Sequence, residues 1–212
     1  MIIIGAKGFA KELLQVLDDN GELKQDLSFF DDISSDLPDF LYDRFKIVRS
    51  WDELSRFFLT NSPEFVLGVG GPAIRQDLSK RVCDAGGRLT AVISKTASIG
   101  RFGTQLGEGL CIMRNTIIEN DVQVGEGCLI HNNSLISHDV KLGKYCEISP
   151  GVKLLGRDVI GDYCHIGSNA VVLPNINIGN NVKVGAGAVV TKDVPDNMTV
   201  VGIPAKELVA KP

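Results

Sequence analysis

Aliphatic residues return at every sixth position through the second half of the chain: Leu106, Ile112, Ile118, Val124, Ile130, Ile136, Leu142, Ile148, Leu154, Ile160, Ile166, Val172, Ile178, Val184 and Val190. Two places earlier stands a small or aliphatic residue, as at Val122, Cys128, Ser134, Val140, Cys146, Val152, Cys164 and Ala170, and glycine often follows. Neither the helical period of 3.6 nor the strand period of 2 produces this pattern. A structural repeat of six does: each hexapeptide makes one short strand and one corner, three close a triangular coil, and the aliphatic side chain points into the prism. Residues 18 apart then become vertical neighbours, on parallel strands about 4.8 Å apart. The spacing predicts about five coils of a β-helix, with one extra residue in the first turn after Ile99, at RFGTQ.

The residues before this repeat follow a different rhythm. Met1 to Gly5 reads as a short apolar strand, and GAKGFAKELLQVLDD as a helix with Phe9, Leu13, Leu14, Val16 and Leu17 on one face. LSFFDD predicts a second strand ending in two carboxylates, and KIVRSWDELSRFF a third strand with a capping box, Ser50 to Glu53, opening its helix. EFVLGVGG, PAIRQDLSKRVCDAG with proline in the first helical turn, and RLTAVIS add a strand, a helix and a last strand. Alternating strands and helices imply a parallel sheet. The reading is therefore two domains: an α/β Rossmann-like unit over 1–92, and an all-β parallel helix over 93–212 that includes a C-terminal tail.

Composition narrows the partners. A net charge of −4 and a pI near 5.4 exclude a general affinity for nucleic acid or anionic membrane, and favour a small-molecule partner. No apolar run approaches the roughly 20 residues of a membrane span, and MIIIGAKGF is too short and glycine-punctuated for a signal peptide, so the expected compartment is the cytoplasm. Cys128, Cys146 and Cys164 are spaced by the coil length, which predicts a column of small inward side chains rather than a disulfide or metal set.

In such sheets ligands sit at the carboxyl ends of strands, which gathers Gly5 to Phe9, Asp31, Asp32 and Val69 to Gly71. Gly5 and Gly8 form only G-x-x-G, short of a dinucleotide fingerprint, and either serve a nucleotide or simply make a tight turn. His138 follows the inward Ile136 by two residues, so it sits near a corner and faces outward. One coil above it is Gly156, whose backbone N–H is open to close approach, and Asp139 is placed either to fix the imidazole tautomer or to pair with Arg157 at the surface. His165 stacks above Glu147 as a cross-strand pair. His131, before two asparagines, suits a hydrogen-bonding structural role. The three histidines form no dedicated metal cluster.

VVTKDVPDNMTVVGIPAKEL after the hexapeptides resembles the left-handed β-helix acyltransferases that use acetyl-CoA. Together with GAKGF, FFDD, VGVGGPAIR, SHDVKLGKYCEISPG and CHIGSNAVVLPNI, the chain resembles over nearly its whole length the bacterial sugar acyltransferases of the PglD and NeuD type. That resemblance implies a left-handed helix, a homotrimer with active sites between adjacent prisms, acetyl-CoA as cosubstrate, no metal, and a nucleotide-linked amino sugar on each N-terminal domain. Carried onto this sequence, His138 corresponds to the general base, Asp139 to its acidic partner and Gly156 to the N–H that binds the thioester oxygen. Lys7, Gly8, Phe9, Asp31, Asp32 and Gly70 correspond to the nucleotide-sugar pocket, and Gly167, Ser168, Gly185 and Ala186 to the coenzyme track. Glu147 stands where several members have a histidine that contacts the coenzyme, and Lys7 and Phe9 replace the Ser and His common in the glycine turn.

The implied reaction is direct acetyl transfer to the 4-amino group of a nucleotide-linked 4-amino-4,6-dideoxy sugar for surface-glycan synthesis, in lipopolysaccharide or capsule. Two alternatives stay open at the level of sequence: O-acetylation of a sugar of the sialic acid kind, and a nucleotide-sugar-binding trimer without catalysis. A cysteine nucleophile is disfavoured, since three cysteines point inward and Cys83 lies on a helix, with Cys111 the least certain.

Overall fold

The computed structural model describes residues 1–208; residues 209–212, the end of the expected C-terminal tail, lie outside the described residues. The chain begins with β1 (Ile2–Ile4), α1 (Gly8–Asn20), β2 (Ser28–Phe30), β3 (Phe40–Leu41), β4 (Phe45–Val48), α2 (Trp51–Thr60), β5 (Glu64–Leu67), α3 (Pro72–Asp84) and β6 (Arg88–Leu89). These strands form one sheet in the order β3-β4-β2-β1-β5-β6, parallel except for the β3–β4 pair. The all-apolar Ile2–Ile4 takes the buried position between β2 and β5, as a strand covered on both faces requires. At α2, Ser50 Oγ accepts the Glu53 N–H, while Glu53 reaches back to the Arg49 N–H at 3.0 Å.

Two elements depart from the sequence reading. β3 is an added edge strand, turned back onto β4 by Tyr42 and Asp43, both with φ above 50°. RLTAVIS is not one strand: Arg88–Leu89 pairs with Glu64–Phe65, and Val92–Ile93, which we label β7, pairs instead with Cys111–Ile112. The six-residue period explains the break, because Ile93 precedes Ile99 by one hexapeptide and must already face into the prism.

From β7 onward three parallel sheets wrap a single core. One face runs through Leu129–Ile130, Glu147–Ile148, His165–Ile166 and Lys183–Val184, and it ends in Thr199–Val201 against the antiparallel Lys206–Glu207. The aliphatics of the repeat fill the prism, with Ile130, Ile136, Ile148, Leu154 and Ile166 all at 0 % exposure. The cysteine column is inward and free, and each thiol donates to a carbonyl one coil on: Cys128 to Gly143, Cys146 to Gly161 and Cys164 to Gly179, at 3.0–3.1 Å.

Corners need left-handed backbone, which Asn and Asp tolerate, and Asn115, Asp121, Asn133, Asp139, Asn169, Asn175 and Asn181 supply it. Tyr145, Arg157 and Tyr163 adopt the same φ without that aptitude, at a cost of about 1–3 kcal/mol each. The tyrosines return it in docking. Their rings stack 6.3 Å apart; the Tyr145 hydroxyl donates to Ser79, and Tyr163 accepts from Gln76, so both grip α3. Beside them the wholly buried Arg75 of α3 donates to the carbonyls of Leu67 and Val69 on one side and Gly127 of the coil on the other.

Candidate active site

All six residues expected at the nucleotide-sugar pocket, Lys7, Gly8, Phe9, Asp31, Asp32 and Gly70, line one cleft of about 370 Å³ at the carboxyl ends of β1, β2 and β5. Its shape follows from the turns. Gly5 holds φ +97°, and a Cβ there would lie 2.8 Å from Val69. Asp31 ties the β2 end together by accepting the N–H groups of Ala6, Ile33 and Ser34, and Asp32 accepts the Trp51 indole N–H at 2.8 Å. The N-terminus of α1 faces this cleft with no side-chain cap and no acid in its first turn, which leaves its dipole free to attract an anion.

Below the cleft lies the seam with the coil, where Glu147 is central. Gly71 donates its N–H to Glu147 Oε2 at 2.6 Å, and the other oxygen is 3.6 Å from His131 Nε2 and 3.9 Å from His165 Nε2. Burial works to raise the Glu147 pKa, but His131, the Gly71 N–H and His165 together prevail and hold it at about 2, so the carboxylate stays ionised. His131 packs against Phe9 with ring centroids 5.3 Å apart, and His165 also contacts Ser149 Oγ at 3.1 Å. The stacking of Glu147 under His165 is as the coil register requires. Glu147 is thus turned toward its own N-terminal domain, not along the corner that carries Gly167 and Ser168.

His138 sits on a different corner, exposed on the prism surface. Its Nδ1 is 2.7 Å from Asp139 Oδ2, which fixes the ring with Nε2 as the free nitrogen. Arg157 does not take Asp139 away; its Nε donates to Asn175 at 2.7 Å, so the surface-pair alternative is not formed. The imidazole lies directly against Gly156, one coil above it: a Cβ on Gly156 would be 2.6 Å from Cε1 and 2.8 Å from Nε2. The Gly156 N–H donates to no acceptor among the described residues. A base with one free nitrogen therefore sits beside an unused backbone donor, the pair needed to take a proton and stabilise an oxyanion.

Gly167 and Ser168 stack under Gly185 and Ala186, with the Gly187 N–H bonded to the Ser168 carbonyl at 2.8 Å. They share one prism edge, and His138 with Gly156 occupies another. Cys111 is buried between the domains against Leu67 and Arg75 and offers no accessible nucleophile. Among the described residues no group of three or more His, Cys, Asp or Glu is arranged to hold a metal ion.

Comparison with known proteins reaches both halves. Residues 1–82 match the PglD N-terminal domain, and residues 103–138, 121–156 and 159–192 match the bacterial transferase hexapeptide. The chain joins a PglD-type N-terminal domain to a transferase hexapeptide domain. Among solved structures the chain is similar to PerB from Caulobacter crescentus in complex with CoA and GDP-perosamine, at 28% identity and a TM-score of 0.88 over 98% of this chain and 96% of that one. It is similar to WeeI from Acinetobacter baumannii AYE at 28% identity and a TM-score of 0.85, over 98% of each chain. It is similar also to the acetyltransferase domain of PglB from Neisseria gonorrhoeae FA1090 in complex with acetyl coenzyme A, at 25% identity and 0.71, again over 98% of each. No curated protein matches. The parallel coil has the left-handed β-helix fold of these neighbours.

Two residues of consequence escaped the sequence reading. Arg75 looks like any surface arginine of a helix, and no local pattern marks it as buried. Asp158 was detectable: it stands two residues before Ile160, in the inward column, and is wholly buried. Its Oδ1 accepts the Ile176 N–H at 3.0 Å while Oδ2 has no partner, and burial, against two backbone hydrogen bonds, raises its pKa to about 7.

Proposed function

We propose that the protein is an acetyl-CoA-dependent N-acetyltransferase of a nucleotide-linked amino sugar, with His138 as general base. The observation that carries this is the His138–Asp139 pair seated on Gly156, with Nε2 of the ring and the Gly156 N–H both free. The amine of the acceptor attacks the thioester carbonyl and the Gly156 N–H takes up the developing oxyanion. His138 Nε2 removes the amine proton, and coenzyme A leaves as the amide forms. No covalent acyl-enzyme is required. Asp139 holds the tautomer and balances the imidazolium.

The acceptor occupies the cleft of Lys7, Gly8, Phe9, Asp31, Asp32 and Gly70, its phosphates drawn to the uncapped end of α1. The coenzyme follows the edge of Gly167, Ser168, Gly185 and Ala186. That edge and the His138 edge are separated by one prism face, roughly 20 Å of chain, so one site containing both sets is completed by the edge of a second copy; a homotrimer with three shared sites satisfies this. The neighbours favour the amine acceptor: PerB is described with CoA and GDP-perosamine, and also with one histidine replaced by Asn or by Ala. A 4-amino-4,6-dideoxy sugar destined for a surface glycan, handled in the cytoplasm, is the specific substrate we infer.

The deciding experiment follows thiol release from acetyl-CoA with GDP-, UDP- and dTDP-linked 4-amino-4,6-dideoxy sugars and their hydroxyl counterparts. Release with an amino sugar alone is expected and names the nucleotide. Release with only the hydroxyl acceptors would move the assignment to O-acetylation, and silence throughout would leave a binding protein.

A further inference from the structure

The seam at Glu147 does more than join two domains. One oxygen of its carboxylate holds the Gly71 N–H at 2.6 Å, and Gly70 lies so close that an added Cβ would meet that oxygen at 3.2 Å. These two glycines form the turn from β5 into α3, which is one wall of the cleft. The other oxygen faces His131, whose ring packs on Phe9 in the first turn of α1, the opposite wall. A single side chain on one strand of the coil therefore touches the supports of both walls. The carbonyl side of the first wall is fixed independently, by Arg75 on the carbonyls of Leu67 and Val69.

We infer that Glu147 is a positioning residue for the acceptor: through Gly71 and through His131 under Phe9, it sets the separation of the two cleft walls and ties both to the β-helix. The inference rests on the proposed use of this cleft for the nucleotide sugar, and it differs from a role for Glu147 as a coenzyme ligand. Ionisation is part of the device, because only the anion accepts strongly from the amide at the start of α3 while facing two imidazoles. An amide side chain in its place keeps an acceptor for Gly71 and gives up the attraction to His131 and His165.

The test is steady-state kinetics of Glu147→Ala and Glu147→Gln against both substrates, with thermal melting alongside. Glu147→Ala is expected to raise KM for the nucleotide sugar roughly tenfold, with KM for acetyl-CoA and kcat within about twofold, and Glu147→Gln to fall between Ala and the unaltered protein. A rise in KM for acetyl-CoA with none for the sugar would return Glu147 to the coenzyme and overturn the inference. So would a lower melting temperature with every kinetic constant unchanged, which is what a purely structural residue gives. If the unaltered protein acetylates no amino sugar, the proposed function fails on its own. Hydrogen exchange then decides the clamp: the 69–74 peptide is expected to exchange faster in Glu147→Ala, and unchanged exchange there refutes it.

Discussion

The coil carries two pairings of an imidazole with a carboxylate, built from the same chemistry and put to opposite uses. His138 and Asp139 are 2.7 Å apart with side chains 57% and 51% exposed; His131 and Glu147 are 3.6 Å apart with side chains 14% and 13% exposed. At the open corner the carboxylate serves the imidazole, turning it so that Nε2 meets whatever approaches. At the seam the imidazoles serve the carboxylate, which burial would otherwise protonate and which instead is held at a pKa of about 2 to grip a backbone amide. The difference comes from position on the coil. A corner side chain of a β-helix projects into solvent, whereas this face of the prism is covered by the N-terminal domain.

The largest effect that sharpens this contrast is expected at His138. His138→Asn should lower kcat by on the order of 10² to 10⁴ with no change in melting temperature, since the side chain supports no packing. Undiminished turnover by that variant would end the assignment of His138 as base. Gly156→Ala comes next. Its Cβ would enter the space of the imidazole at 2.6 Å, so the ring must leave its seat, and we expect kcat to fall roughly 10- to 100-fold. Chemical-shift mapping of the His138 ring in that variant should show the displacement; an unmoved ring would mean the contact carries no catalytic weight.

The smallest effect concerns a carboxylate that has no imidazole. Asp158 is enclosed in the prism with one oxygen unpartnered and a pKa raised to about 7, against 3.8 for the free residue. The folded state then holds its proton more tightly than the unfolded chain, so this stabilisation is complete below pH 3.8 and is lost as pH rises through about 7. Asp158→Asn keeps an acceptor for the Ile176 N–H and cannot ionise. It should melt about 5 °C higher at pH 8 and little differently at pH 4. Equal melting temperatures for the two proteins at pH 8 would show that Asp158 meets solvent or a cation there.

What could be read without coordinates was whatever the period determines. The 18-residue rule placed His138 beneath Gly156, Glu147 beneath His165 and the cysteines in one column, because in a β-helix sequence separation is spatial position. The α/β unit offered no such rule. Its strands were visible as apolar runs, but the Phe40–Leu41 edge strand is short and depends on two left-handed residues, of which Tyr42 is of a type that rarely adopts that conformation. Least legible were contacts between the two regimes. Glu147 and Gly71 are 76 positions apart and obey no common period, and Arg75 is buried only because the coil lies against α3. Asp158 is the instructive miss, since the inward column already announced it.

The grip of α3 on the coil also sets where the molecule yields. The N-terminal domain fastens to the lower coils at Gly127, Tyr145, Glu147 and Tyr163, and among the described residues none of its hydrogen bonds or ion pairs reaches beyond Tyr163. The coils above, through Asn177–Ile178 and Lys183–Val184 to Thr199–Val201, lean only on their neighbours. A stack of that kind unravels like a rope braced at one end: heat or tension should peel it from the top downward. Amide exchange should then fall rung by rung toward the splinted coils that hold His138 and Gly156, which places the proposed chemistry in the part of the ladder that comes apart last.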